Sequence, residues 1–248
     1  MKTWQRTIAV MTVLALFVFG GSSPILKTNA QSNEFEKLSQ TAQMLSVVEE
    51  PGEIQEAKEI AQDAISMNKV VSNAKDADLN YSSANVGEIS ADNETYTVLT
   101  IPIASEDYNP LSNLTLVILN DEILTYSETL ITKSPENTVA IATYNDGSLF
   151  NEKVTDIEYL SNSEVQKAID KAKNLEVREN IVQPLGVGEV ALCLAGVLLI
   201  DLTVARIVAA TCIGACGTGI VPVCAACVGG VFVIGGANIP AVIACFKA

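Results

Sequence analysis

Apolar positions recur at helical spacing early in the chain. Phe35, Leu38, Ala42 and Leu45, with Glu34, Glu36 and Lys37 among them, predict a short amphipathic helix that ends before Pro51 and Gly52. Ile54, Ala57, Ile60, Ala61, Ala64, Ile65 and Val71 form one stripe and predict a second helix over residues 53–71. After Asn73 the period changes. Residues 96–101 predict a strand, and residues 114–119 and 123–126 predict a hairpin around Asn120 and Asp121. Residues 138–144 followed by Asn145, Asp146 and Gly147 signal a second hairpin, since Asp-Gly supplies the positive φ angles of a tight turn. A polar helix is predicted over residues 163–177. Beyond Gly188 the alternation disappears and the chain is apolar almost throughout.

Charge follows the same division. Residues 1–30 carry Lys2, Arg6 and Lys27 and no acid; residues 31–185 carry ten basic against 27 acidic residues, a net of −17; residues 186–248 carry Glu189, Asp201, Arg206 and Lys247, a net of zero. The whole chain of 248 residues stands at −14, which excludes a nucleic-acid binder held by a basic surface. It has no histidine, so Ser-His and Cys-His catalysis and His-ligated zinc are excluded. Three segments are therefore expected: 1–30, 31–185 and 186–248.

The first segment has a basic start, an apolar run over residues 8–19, and the small-residue ending Thr28-Asn29-Ala30. That is the order of a secretory signal peptide cut by signal peptidase between Ala30 and Gln31. Twelve apolar residues fall short of the roughly 20 that span a bilayer. A secreted, extracellular protein is expected, in a compartment where disulfides persist.

The middle segment predicts an α+β domain, helices first and an antiparallel meander after them. Its chemistry is thin. The adjacent acids Glu49-Glu50, Glu106-Asp107 and Asp121-Glu122 mark solvated faces or turns, and no phosphate loop or nucleophile elbow is present. No enzyme, cofactor or metal is expected. Between Asn180 and Glu189 the composition changes abruptly, and Pro184, Leu185, Gly186, Val187 and Gly188 are what an exposed linker looks like, either a processing site or an ordinary loop.

The last segment holds all six cysteines: Cys193, Cys212, Cys216, Cys224, Cys227 and Cys245. Their spacing is nearly palindromic. Nested pairing, Cys193 with Cys245, Cys212 with Cys227 and Cys216 with Cys224, would share a midpoint at the turn signal Gly217–Pro222 and make residues 190–216 and 223–245 a small all-α, disulfide-stapled helical hairpin. Six cysteines allow fifteen connectivities, so other pairings stay open. A zinc site of Cys212, Cys216, Cys224 and Cys227 and a redox site at Cys224 and Cys227 are weaker alternatives in a secreted, Ala/Val/Gly-rich setting. Residues 207–246 carry no charge, and helices of about 25 residues would be near 37 Å long, comparable with a bilayer. Asp201 and Arg206 interrupt the first helix, either pairing with each other or marking the helix face that stays near water.

Cys212-Ile213-Gly214-Ala215-Cys216 followed by Cys224-Ala225-Ala226-Cys227, at the end of a secreted acidic precursor, resembles the halocin-like cysteine-rich bacteriocin precursors. The resemblance covers residues 186–248 and the overall layout. It implies that the six cysteines form a disulfide framework, that a processing protease cuts near Pro184 to Gly188, and that the released peptide is antimicrobial and acts on the target-cell membrane. It also implies that the acidic part shields the tail, by intramolecular association of residues 31–185 with it, or confers immunity on the producer. The chain departs from archaeal members in having fewer cysteines and no twin-arginine pair. The alternative expectation is an extracytoplasmic binding or structural protein anchored by the C-terminal hairpin.

Overall fold

The computed structural model describes residues 44–91, 93–173, 187–198, 202–216 and 245. The expected signal segment with Ala30 and Gln31, the stripe from Phe35 to Ala42, and Pro184, Leu185 and Gly186 lie outside the described residues. In chain order the elements are β1 (Leu45–Val47), α1 (Pro51–Ser66), β2 (Asp78–Leu79), β3 (Asn85–Ala91), β4 (Glu94–Ala104), β5 (Asn113–Leu119), β6 (Glu122–Lys133), β7 (Thr138–Asn145), β8 (Ser148–Glu158), α2 (Asn162–Lys173), α3 (Val187–Leu198) and α4 (Leu202–Cys216). All strands belong to one antiparallel sheet in the order β1-β3-β4-β5-β6-β7-β8, with β2 paired to the end of β4 beyond β3. The architecture is α+β.

Turn chemistry fixes the meander. Asn120 and Asp121 sit at φ of 52° and 64°, and Asp146 and Gly147 at 46° and 77°, so both predicted hairpins close through two residues in the left-handed region. Side chains reinforce the second turn, because the Asp146 carboxylate accepts from the Tyr126 backbone N–H at 2.9 Å and from the Thr125 hydroxyl at 3.0 Å.

Helix α1 starts at Pro51, whose missing N–H belongs to a first turn that has no helical acceptor in any case. It stops at Ser66, earlier than the stripe to Val71 predicts. Asn68 turns left-handed at φ 55°, Lys69 N–H reaches the Ala64 carbonyl at 2.8 Å, and Asn68 N–H reaches that of Ile65 at 3.0 Å, which closes a Schellman cap. Val70 is then the buried residue and Val71 is half exposed. Leu45, expected on the first helical stripe, lies in β1 opposite Ile89. Helix α2 begins with a capping box: Ser161 N–H donates to the Glu164 carboxylate at 2.9 Å, and Glu164 N–H returns to the Ser161 hydroxyl at 3.4 Å.

The sheet is covered on both faces. On one, Ala57, Ala61 and Ala64 of α1 pack over Val86, Leu99, Ile101, Leu114 and Leu116. On the other, Ile89, Val98, Val117, Ile131, Val139, Ile141 and Ile157 share a core with Val165 and Ile169 of α2 and with residues of α3 and α4. Val86 and Ile89, three apart in one strand, thus point to opposite faces. No sequence expectation placed a strand at β3, because a spacing of three breaks the period-2 alternation of a strand with one buried face.

Candidate functional site

The apolar tail meets the acidic domain on the second face of the sheet. Val190, Ala191 and Leu194 of α3 and Val204, Ala205, Ile207, Val208 and Ala209 of α4 are all buried, and α3 and α4 pack against each other. Helix α4 lies against β7 and β8. A helix this apolar has no stable position in water and must bury its surface against another element.

The continuous helix predicted over residues 190–216 is two elements, α3 of 12 residues and α4 of 15. At 1.5 Å per residue these are about 18 and 22 Å long. Among the described residues no helix is long and apolar enough to cross a membrane. The Arg206 guanidinium donates to the Asp156 carboxylate of β8 at 3.3 Å, which ties tail to domain across the surface. Both partners are solvent-exposed, so the contact sets orientation more than stability. Asp201 lies outside the described residues.

Cys193 and Cys245 are joined, with Cα atoms 5.6 Å apart, and Cys245 is fully buried in the shared core. This is the outermost of the nested pairs. Cys212 and Cys216 lie on the last turn of α4, where only the backbone is described, and Cys224 and Cys227 lie outside the described residues. The other half of the stapled hairpin, residues 223–245, lies outside them too, except for Cys245. Of the candidate processing residues, Val187 and Gly188 form the first turn of α3. Proteases bind substrates in extended form, so any cut that spares the helix falls before Val187.

The paired acids stay apart from any such chemistry: Glu49, Glu50, Glu106, Asp107, Asp121 and Glu122 are all exposed. Among the described residues no three His, Cys, Asp or Glu side chains cluster as a metal site would require. Glu128 is the exception among carboxylates, fully buried beneath the loop that follows α1. It accepts from the Ser72 hydroxyl and, at 2.8 Å, from Asn73 N–H, and so pins that loop to the sheet. Sequence reasoning missed it, because a lone Glu in an alternating strand looks like a solvent-facing position.

All six tyrosines lie between residues 81 and 159, so tyrosine signals report on the acidic domain alone. Burial pushes the Tyr81 and Tyr159 phenols above the usual 10.0, and burial together with the Glu128 and Glu152 carboxylates does the same for Tyr144. The folded state then holds these protons longer than the unfolded chain. Stability is therefore unaffected below pH about 10 and falls as pH rises through and beyond it. An alkaline titration should show late, cooperative tyrosinate absorbance coincident with loss of the sheet's circular dichroism; six phenols titrating together near 10 would contradict this.

No family model, curated protein or solved structure matches the chain.

Proposed function

We propose that the chain is a secreted precursor of an antimicrobial peptide. A signal peptide ending at Ala30 is removed on export, and a protease then cuts before Val187. The released tail carries the six cysteines as disulfides and acts on target-cell membranes. Until that cut, the acidic domain shields the tail or gives the producer immunity.

The observation that carries the proposal is the packing of a strongly apolar tail of net charge zero into the core of a domain with net charge −17. A segment of about 60 residues cannot bury so much apolar surface within itself. The covering sheet supplies what it lacks, and the surplus of carboxylates keeps the pair soluble. The thin acid-base inventory fits a shielding role better than a catalytic one.

Mass spectrometry of the native producer's culture medium tests this. A C-terminal fragment of about 60 residues is expected, lighter by about 6 Da than its reduced form because six cysteines lose six hydrogens on pairing. Only intact chain, in a medium without killing activity, would contradict it.

A further inference from the structure

The two faces of the sheet are built differently. Beneath α1 the cross-strand rows are Val86-Leu99-Leu116-Tyr126 and Ile101-Leu114-Glu128, apolar apart from one carboxylate whose hydrogen bonds are made. On the face shared with the tail, two rows in the same strands are polar: Thr100-Thr115-Ser127-Asn145, and then Asn113-Thr129-Thr143. They lie between the apolar rows Val98-Val117 and Ile131-Ile141, which belong to the core that includes α3 and α4.

Thr100, Asn113, Thr115, Ser127, Thr129 and Thr143 are each at most 5% exposed. Some bond among themselves: the Thr100 and Thr115 hydroxyls are 3.1 Å apart, and Thr115 donates to the Asn113 side-chain oxygen at 3.1 Å. The Ser127 hydroxyl and the Asn145 side-chain oxygen, register partners in β6 and β7, are buried with no hydrogen-bond partner. Burying such atoms costs stability that water would return. Interfaces that come apart are more polar than those that never open.

We propose that the polar rows make this face releasable. In the precursor they are buried on the face against which α4 packs at β7 and β8. After the chain is cut before Val187 the tail dissociates, water satisfies Ser127 and Asn145, and the acidic domain stays folded and soluble on its α1-side core. This rests on the reading of the tail as a released peptide and adds how release is possible without denaturing the domain.

The test uses the purified, oxidised full chain with a protease recognition sequence placed between residues 180 and 186. After cutting, size-exclusion chromatography follows whether the tail leaves, and tyrosine fluorescence follows whether the remainder unfolds cooperatively. In the parent the tail should leave and the remainder stay monomeric and folded. In Ser127→Ala/Thr129→Val/Thr143→Val the tail should leave about tenfold more slowly. Ser127→Ala alone, which removes one unpartnered oxygen and adds nothing, should shift retention the same way if the triple variant does not fold. Release at the parent rate or faster in these variants, a parent tail that never leaves, or a remainder that precipitates would each overturn the proposal. A tail without killing activity would remove the antimicrobial reading and leave these retention results standing.

Discussion

Replacing the buried disulfide, as Cys193→Ser/Cys245→Ser, should lower the stability of the intact chain by roughly 4 kcal/mol. That is the chain-entropy value for a loop closed across a sequence separation of 52. The bond joins α3 to the very end of the chain, and both sulfurs lie in or against the core that the tail shares with the sheet. Without it, nothing covalent ties Cys245 to α3 in that core. The check is urea unfolding followed by tyrosine fluorescence, oxidised parent against the double variant and against the parent under reductant. The midpoint should fall in both, with the α1-side core as the last structure to melt. Equal midpoints would mean that the bond contributes nothing to docking.

Ile207→Asp should have an effect at least as large. Ile207 is fully buried where α4 meets the sheet, and the neighbouring cation, Arg206, is already directed at Asp156. An ionised carboxylate placed there without a partner costs several kcal/mol, more than the docking of two short helices can absorb. The expected result is an undocked tail: prompt proteolysis after the linker, binding of apolar dyes, and aggregation, with the strands still folded. Leu192→Asp is the matched control. Leu192 is 61% exposed on α3, and the same charge there should change stability by no more than about 0.5 kcal/mol. If both variants behave alike, α4 is not buried against the sheet.

These outcomes depend on features that the sequence revealed unevenly. The two hairpins were legible because Asn120-Asp121 and Asp146-Gly147 are among the few pairs that tolerate left-handed backbone, and no tertiary context is needed to read them. The end of α1 was not, because the apolar stripe runs on to Val71 while the cap at Asn68 turns the chain away. Strand β3 was hidden by the spacing of Val86 and Ile89, which makes sense only when both faces of the sheet are known to be covered. The same ignorance concealed the polar rows. In Leu114-Thr115-Leu116-Val117 the threonine has the position of a solvent-facing residue, yet it is 1% exposed beneath the second layer. Alternation tells a reader that a strand has two faces and leaves open what lies on the further one.

At the tail, the cysteine palindrome anticipated Cys193 with Cys245, since the outermost pair follows from symmetry about the 217–222 turn signal. The partner of Arg206 could not be read. Asp201 is five residues away in sequence, whereas Asp156 is fifty residues away and brought near only by the packing of α4 on β8.

An acidic domain that holds the tail inactive should lose that hold when the chain is cut before Val187. The most direct measurement applies equimolar amounts of the oxidised intact chain, and of the same chain cut before Val187, to lawns of a panel of bacteria. Clearing by the cut material and none by the intact chain is the predicted result. Clearing by both to the same extent, or by neither on any lawn, would contradict it.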